Sequence, residues 1–392
     1  MQPTSAGELR AWHVARALQQ IASLKIVVLD DEDANEHAAA ADVAANVALR
    51  VGVRLCPNVG WAQKVNWLVN PRSPTPHGIG VNQADLQRVR EMAGQFDAVW
   101  FFELRTANMF PWWKWPRSVV DISDVPSTFE QSAVAAERVR HKRVTGRLRL
   151  WSWQRRERLL KERFSVLTVC SEADQRYLRQ LGVTVPLHVV PNGYERPKTV
   201  VSRQPSTPPR LGFIGVFDHL PNVEGIHWFV RECWPAIKRE IPDARLRLVG
   251  RFSDGPLKPD GVDIDALGRL DDPTQEMSTW SAMVVPVHTG AGTRGKVAHA
   301  FSMKCPVVST SLGAYGYDGR NARDIFLADS AAPFAAACIR TITEPHEASA
   351  VAERAWQRFL EKWTWDAIRP HIWAAADACL TSVEDVRAND PQ

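Results

Sequence analysis

The sequence predicts an α/β protein of two domains built on parallel sheets. Its 392 residues are enough for two or three domains of ordinary size. An apolar fraction of 45% is enough for two sizeable cores. Short apolar runs rich in β-branched and aromatic residues alternate with amphipathic stretches, which is typical of parallel strands joined by right-handed helical crossovers.

The N-terminal domain is predicted to cover residues 1–192, with helices at 84–94 and 129–163. A helix at about residues 7–20 precedes the first clear strand, although a Rossmann-like domain normally opens with a strand. We therefore expect that the opening strand is missing from this sequence. The predicted strands are LKIVVLD (24–30), FDAVWFFE (96–103), RSVVDISD (117–124) and FSVLTVCS (164–171).

The C-terminal domain is predicted to cover residues 210–392, after a linker at 193–209 rich in Pro, Ser and Thr. Its helices are expected at about 222–240 and 293–303. A last helical stretch, 346–382, is long enough to end this domain and cross back to the first. The predicted strands are RLGFIGVF (210–217), ARLRLVGR (244–251), VDIDALGRL (262–270), AMVVPV (282–287) and PVVST (306–310).

Composition excludes several classes of protein. The six cysteines stand singly without a CxxC pair, which indicates a reducing compartment and argues against a disulfide framework or a structural zinc site. No apolar run reaches the roughly 18–20 residues that span a bilayer. The N-terminal segment MQPTSAGELR lacks the charged-then-apolar order of a signal peptide. We expect a cytoplasmic protein.

The segment VPVHTGAGTRGKVAHAFSMKCPVVST (285–310) predicts an anion site. Gly290 and Gly292 lie in a loop between a strand and a helix, where backbone N–H groups and the helix dipole attract negative charge. Arg294 and Lys296 occupy the first helical turn, where a cation opposes the dipole by about 0.3–1 kcal/mol. Cations at an unfavourable helix position often mark a functional site, and two cations suit the charge of a diphosphate. The alternative is two solvated charges beside an ordinary glycine turn.

A second strand-to-helix turn, GFIGVFDHLPNVEG (212–225), begins the same domain. Gly215 ends its strand there. Open α/β sheets bind ligands at the carboxyl ends of their strands. This second turn favours the ligand site over the alternative of an ordinary surface turn.

These motifs resemble the retaining family-4 glycosyltransferases, which have the GT-B architecture. The C-terminal half carries the resemblance through GFIGVFDHLPNVEGIHWFV, PDARLRLVGR, the GAGTRGK loop and PVVSTSLGAYG. The N-terminal half resembles the family less strongly, through PTSAGELRAWHVARAL, VVDISDVPS, VCSEADQRYL and VVPNGYE. The resemblance implies two Rossmann-like domains facing across a cleft. The C-terminal domain would bind a nucleotide-sugar donor and the N-terminal domain an acceptor, with no essential metal and no cofactor.

The resemblance also implies roles for single residues. Gly215, Arg294 and Lys296 fall where such enzymes contact the donor diphosphate, and Gly292 and Thr293 belong to the same loop.

Two further positions are implied to contact the donor. Leu267 falls in the region that packs the nucleotide base, and Gly7 falls in the N-terminal loop that approaches the donor phosphates. Many relatives place an Arg and a Lys in the turn after the first C-terminal strand, where this chain has Val216 and Asn222. The positive charge must then come from Arg294 and Lys296.

His299 departs from the family pattern, since relatives carry there a Glu that accepts hydrogen bonds from the ribose. The other Glu of the paired motif falls at Ala291. A neutral imidazole nitrogen can accept a hydroxyl proton. Two interpretations stay open: His299 binds the ribose, or it is a tolerated replacement near the site.

Asp124 marks a second departure. Many relatives place a His just after the strand VVDIS, close to the reacting sugar, where this chain has Asp121, Ser123 and Asp124. The carboxylate of Asp124 could orient sugar hydroxyls or stabilise positive charge at the anomeric carbon. Alternatively, Asp124 caps the following helix.

Two segments predict an anionic membrane surface as a partner. Residues 138–163 carry eleven Lys and Arg against two Glu. The segment MFPWWKWPR (109–117) adds three tryptophans among basic residues, a mixture that favours lipid headgroups. The alternatives are a solvated helix face and plain packing of the tryptophans.

The function predicted from all this is transfer of a sugar from a nucleotide-diphosphate sugar to a glycan or lipid-linked acceptor. Retention with front-side attack is implied by the resemblance alone. An inactive GT-B partner protein and a nucleotide-sugar epimerase remain alternatives. A nicotinamide-dependent oxidoreductase is disfavoured because no GxGxxG follows a strand with an acidic residue about 20 positions on. No nucleic-acid partner is expected, because no recognised module accompanies the basic stretch.

Overall fold

The computed structural model describes residues 6–31, 45–56, 60–73, 78–137, 139–199 and 202–388. The described chain forms two compact units. The first runs up to Asn192 and takes up the chain again from Ile368, and the second is Gly193–Ala367.

The first unit mixes helices with two sheets. Its described elements are α1 (Ala6–Leu18), β1 (Ile26–Asp31), β2 (Val47–Cys56), α2 (Trp61–Val69), β3 (Gly78–Val81), α3 (Gln83–Gly94), β4 (Val99–Phe102), α4 (Leu104–Asn108), β5 (Ser118–Ile122), α5 (Pro126–Ala136), α6 (Arg140–Arg158), β6 (Val166–Val169), α7 (Glu172–Gln180) and β7 (Leu187–Val189).

One sheet of this unit is parallel throughout, in the order β4-β5-β6-β7. The other has the order β1-β2-β3, and there β2 and β3 run antiparallel, with Val53 opposite Val81. The prediction of purely parallel pairing is therefore wrong for this strand pair. The sequence of β2 alternates buried Val51 and Val53 with the exposed Arg50, the pattern of a strand with one solvated face.

Both faces of the parallel sheet of the first unit are covered. Val120 and Leu167 contribute to a large core on one face. Val119 and Val166, their neighbours in the chain, pack on the other face with Cys379 of the last helix, α14 (Trp365–Ala388). This alternation follows from the period of two along a strand and explains why these strands are continuously apolar.

A buried ion pair ties α1 to this sheet. The guanidinium of Arg10 donates to both carboxylate oxygens of Asp121, at 2.9 and 2.7 Å, and both side chains are almost fully buried. The same guanidinium donates to the carbonyls of Val190 and Pro191. Arg10 therefore fixes α1 to β5 and to the last residues of the unit before Gly193.

Two long predicted helices are each divided in two. The stretch 129–163 separates into α5 and α6, because Glu137 is extended with φ −71° and ψ 124°. The stretch 346–382 separates into α13 (Pro345–Lys362) and α14, because Thr364 pairs with Tyr194 in a β-bridge and its hydroxyl accepts from the N–H of Ala367.

The second unit is a single parallel sheet with helices on both sides. Its described elements before α13 are β8 (Arg210–Ile214), α8 (Leu220–Trp228), a π-helical turn (Phe229–Cys233), α9 (Trp234–Glu240), β9 (Arg245–Val249), β10 (Ile264–Ala266), α10 (Thr274–Ser278), β11 (Ala282–Val285), α11 (Gly295–Ser302), β12 (Val307–Ser309), β13 (Phe326–Leu327) and α12 (Ala331–Thr343).

The six strands follow the order β10-β9-β8-β11-β12-β13, and every neighbouring pair is parallel. In β11, Ala282 and Val284 face a core that includes α8, α9 and α12. Met283 and Val285 face a second core that includes α11 and α13. The reversal of strand order on either side of β8 and β11 creates a switch point, where such sheets bind ligands.

Residues 193–209, predicted as a linker, belong to the second unit. The N–H groups of Gln204 and Ser206 donate to the carbonyls of Ser278 and Thr279, and Arg203 donates to the carbonyl of Lys304. Backbone groups of a polar segment need partners, and here the unit supplies them.

Candidate functional site

The carboxyl ends of β8, β9 and β10 lie in close contact, and glycines make that contact possible. Gly250 has φ +130°, and a Cβ there would overlap the carbonyl oxygen of Gly215. The N–H of Gly250 donates to the carbonyl of Gly268 at 2.8 Å, and that glycine has φ +68°. A Cβ on Gly225 of α8 would lie 2.5 Å from the carbonyl oxygen of Pro286, just after β11. The surface at the carboxyl ends of these strands is therefore formed by backbone atoms.

The loop after β11 is shaped by two glycines with positive φ, Gly290 at +106° and Gly292 at +74°. Arg294 is the N-cap residue of α11, and its guanidinium donates to the carbonyls of Ala291 and Gly292. Sequence analysis expected a cation turned toward a ligand. Instead, the side chain folds back on its own loop and binds the loop carbonyls. The N–H of Val297 donates to the carbonyl of Arg294, and the N–H groups of Gly295 and Lys296 have no carbonyl one turn earlier in the helix.

Lys296, in the first turn of α11, reaches the turn after β8. Its ammonium donates to the Asn222 side-chain oxygen at 2.8 Å and lies 4.1 Å from the centre of the Phe213 ring. The amide of Asn222 donates to the carbonyl of Val216, and a Cβ on Gly215 would lie 2.9 Å from that amide nitrogen. The structure thus brings Lys296 to Gly215 and Asn222, which precede it by more than 70 positions in the sequence.

Burial and a neighbouring charge make this ammonium unusual. Desolvation, followed by repulsion from Arg294, lowers the pKa of Lys296 to about 7. The pKa of His219, at the start of α8, is also lowered, first by desolvation and then by Arg294 and Lys296. Three basic groups therefore share one electrostatic environment at the switch point. An anion placed among them would relieve their repulsion and raise the pKa of Lys296.

Sequence reasoning did not single out His219, although its turn was quoted. The signal that could have found it is its position directly before α8, four residues after Gly215, the first residue beyond β8. Tyr317 was missed as well: its hydroxyl donates to the carbonyl of Arg294 at 3.0 Å and supports the start of α11. Nothing local in the sequence indicates that contact.

His299 lies on α11 one turn after Lys296 and stacks on Tyr194, with ring centres 4.7 Å apart and an angle of 20° between the planes. Burial lowers the pKa of His299 to about 4, and the nearby carboxylate of Asp272 opposes the shift only in part. The imidazole is therefore neutral at pH 7, with one nitrogen that donates and one that accepts. Tyr194 also gives it a packing partner.

Leu267 follows β10 directly. Its N–H donates to the carbonyl of Leu248 at 2.9 Å, and its side chain packs, partly buried, against the core that includes α11 and α13. The positive φ of Gly268 turns the chain immediately after it. Contact of Leu267 with a nucleotide base stays a prediction.

In the first unit, Gly7 lies in the first turn of α1, so the prediction that it belongs to a loop is wrong. A Cβ on Gly7 would lie 3.9 Å from a carboxylate oxygen of Glu103. Glu103 directly follows β4 and has φ +65°, a conformation that non-glycine residues rarely adopt and that often marks functional sites. Ser123 donates to Glu103 at 3.5 Å. Sequence analysis missed Glu103 because its strand reads as ordinary.

Asp124 is exposed and follows β5 by two residues. The N-cap residue of α5 is Val125, so Asp124 lies one residue before the cap position. Three of these residues follow the carboxyl ends of strands: Glu103 comes after β4, and Ser123 and Asp124 come after β5. Gly7 lies in α1, near Glu103.

The tryptophans of 109–117 are packing residues. Trp115 is 6% exposed and contacts Phe101, Phe110 and Trp112 edge to face. Trp113 is partly buried beneath the guanidinium of Arg163. The prediction that this segment presents tryptophans to lipid is therefore wrong for Trp115, because its ring lies in the core of the unit.

Within the described ranges, no helix combines the length and the apolar character needed to cross a bilayer. The same part of the chain has no cluster of three or more His, Cys, Asp or Glu side chains placed to hold a metal ion.

Comparison with solved structures defines the class of fold. Sucrose-phosphate synthase from Thermosynechococcus elongatus is 14% identical, with a TM-score of 0.61 over 95% of this chain and 93% of its own. HepE of Anabaena, solved in complex with UDP-glucose, is 13% identical, with a TM-score of 0.57 over 96% and 97%. The chain has the α/β fold of the GT-B glycosyltransferases.

Comparison with protein families gives a match over part of the chain. Residues 208–344, which contain the whole site at the switch point except Tyr194, match the family described as glycosyl transferases group 1. TarM of S. aureus is also similar, at 11% identity and a TM-score of 0.48; this chain spans half of its length. No curated protein matches the chain by sequence. The family match and the fold support a GT-B glycosyltransferase.

Proposed function

We propose that this protein is a retaining glycosyltransferase of family 4 that moves a sugar from a nucleoside-diphosphate sugar to a glycan or a lipid-linked acceptor. One observation carries the proposal. The ammonium of Lys296 and the glycine loop closed by Arg294 lie at the mouth of α11, on the switch point of a parallel sheet. That arrangement falls within the segment matched to the glycosyl transferases group 1 family.

The chemistry needs stabilisation of a leaving group. When the glycosidic bond to the nucleoside diphosphate breaks, negative charge accumulates on the diphosphate and positive charge on the anomeric carbon. Lys296, the charge of Arg294 and the first N–H groups of α11 are fixed before the reaction, so they stabilise the leaving diphosphate without reorganising. Since these cations can neutralise the diphosphate, we also propose that the reaction needs no metal ion.

The proposal assigns further contacts to the donor. Leu267 packs against the base, and the neutral imidazole of His299 accepts a ribose hydroxyl. Gly215 has no side chain, so the phosphates can approach the backbone at the end of β8. A Cβ there would also lie 2.9 Å from the amide nitrogen of Asn222, the partner of Lys296. HepE, similar in fold, was solved with UDP-glucose, which makes uridine nucleotides the first donors to test.

The proposal places the acceptor at the first unit. Asp124 orients a sugar hydroxyl or stabilises the positive anomeric carbon. Gly7 keeps the role that the resemblance implies, an approach to the donor phosphates. Glu103 belongs to the same edge of β4 and β5, and its backbone strain is typical of a residue held in place for function.

The test is release of nucleoside diphosphate from a panel of nucleotide sugars. The native protein should release it slowly by hydrolysis and faster once an acceptor is supplied. Arg294→Ala/Lys296→Ala should lower the rate by at least about a hundredfold, the loss typical of removing transition-state charge stabilisation. Full activity in that double variant would contradict the proposal.

One observation favours a second candidate, a partner protein without activity. Ala291 and His299 stand where relatives carry the paired Glu residues. The variant His299→Glu separates the two: activity that appears only in this variant identifies the natural chain as the inactive form.

A further inference from the structure

The helical hairpin of α5 and α6 exposes an apolar stripe in the middle of a basic helix. Val144, Leu148 and Trp151 are 52%, 51% and 49% exposed. Their spacing of four and three residues places them on one face of α6, within about 60° of each other at 100° per residue. Exposed large apolar side chains scattered singly are ordinary, but three in line on one helix are not.

The opposite face of α6 is used for folding. Gly146 is buried, and a Cβ there would press on Val134 of α5. The buried carboxylate of Glu157 accepts from the N–H of Ser127 at 2.9 Å. Arg156 is buried as well and donates to the carbonyl of Asn70. The hairpin is therefore held by one side of α6, and the stripe faces away from it.

Basic residues frame the stripe. At 100° per residue, Arg140 and Arg147 lie on one side of it, and Arg155 projects between its apolar members. The guanidinium of Arg155 covers the Trp151 ring at 4.5 Å. In the part of the chain that the structure describes, Arg140 and Arg147 have no ion-pair partner. Positive charge here also opposes the helix dipole, because Arg140 opens α6 and Lys142 and Arg143 lie in its first turn.

We propose that this face of α6, defined by Val144, Leu148 and Trp151 with Arg140, Arg147 and Arg155, docks onto an anionic lipid bilayer. Apolar side chains enter the boundary between headgroups and acyl chains, while the guanidinium groups bind lipid phosphates. A nucleic acid would bind the cations through its phosphates and would leave the apolar stripe in water. The combination of both features therefore selects a lipid surface. The inference does not depend on the catalytic assignment.

The experiment measures sedimentation of the full chain with vesicles of phosphatidylcholine containing about one third phosphatidylglycerol, against pure phosphatidylcholine. We expect binding to the anionic vesicles at low salt and at least tenfold weaker binding at 0.5 M NaCl, since exposed charges are screened within about 5 Å there. Leu148→Ser/Trp151→Ser should weaken binding at least tenfold. So should Arg140→Gln/Arg147→Gln.

A matched control replaces two exposed apolar residues away from any basic helix, Leu257→Ser/Val262→Ser, which are 50% and 82% exposed. Its vesicle binding should equal that of the native chain, and melting temperatures of all variants should agree within about 2 °C. A loss of binding in this control would overturn the proposal. The same holds for native protein that fails to bind at low salt, or that binds neutral vesicles equally well.

A short DNA duplex tests the competing partner. If the duplex binds the native chain as tightly as the anionic vesicles do, and the Leu148→Ser/Trp151→Ser variant binds both unchanged, the surface recognises polyanions in general. That result would also overturn the proposal.

Discussion

Binding of a nucleoside diphosphate should draw a proton from solution, and Lys296 should be the group that receives it. In the free protein its pKa is lowered to about 7, chiefly because the ammonium is desolvated. At pH 8 only about one molecule in ten then carries the charge. A diphosphate beside the ammonium raises that pKa again, so binding at pH 8 should take up about 0.9 proton.

The assay is titration calorimetry with UDP at pH 8 in HEPES and in Tris, whose ionisation enthalpies differ. The dependence of the observed enthalpy on the buffer gives the number of protons taken up. The UDP phosphates are almost fully ionised at pH 8, because their last pKa lies near 6, so they contribute little. The dissociation constant should rise about tenfold between pH 8 and pH 9, as the charged lysine becomes scarcer.

The control variant is Lys296→Arg, because a guanidinium keeps its proton throughout this range. Its proton uptake should fall below about 0.2, and its affinity should be nearly independent of pH from 8 to 9. Uptake near zero in the native protein would refute the reasoning. Equal uptake in native protein and variant would assign the proton to another group.

Two predictions concern stability. Burial raises the pKa of Glu157 from 4.5 to about 7, so the folded state holds this proton more tightly. The stabilisation is complete below about pH 4.5 and is lost as the pH rises to 7, a change of about 3 kcal/mol in the free energy of unfolding. Urea unfolding at pH 5 and pH 8 should show this pH dependence in the native chain and not in Glu157→Gln. Gly250→Ala should lower the free energy of unfolding by about 3 kcal/mol or more, because its Cβ would overlap the carbonyl of Gly215. By contrast, a Cβ on Gly295 meets open space in a helix, so Gly295→Ala should raise the free energy of unfolding by about 0.5–1 kcal/mol. Equal effects of the two alanines would contradict the close approach of β8 and β9.

The sequence predicted the strands of the parallel sheets well, because buried parallel strands are continuously apolar. The segments 210–217 and 282–287 contain β8 and β11. It missed β2, whose alternating arginines resemble neither a buried strand nor a helix, and it joined α5 to α6. Helix interruptions such as Glu137 or Thr364 depend on contacts and backbone angles that no local residue pattern records.

For the candidate site, the sequence identified the glycine loop and its two cations, because their spacing is local. It did not predict that Arg294 folds back onto the loop carbonyls. Nor did it predict that Lys296 contacts Asn222, since such a contact depends on how α8 and α11 pack. The pairing of Tyr194 with His299 joins positions over 100 residues apart and was equally inaccessible.

The central claim is that a nucleoside diphosphate binds at the mouth of α11. The most direct measurement is a crystal structure of the protein with UDP. The account predicts phosphate oxygens within about 3 Å of the Lys296 ammonium and of the first N–H groups of α11, beside Gly215. Phosphates bound elsewhere, with Lys296 still donating to Asn222 and no oxygen near it, would contradict the account.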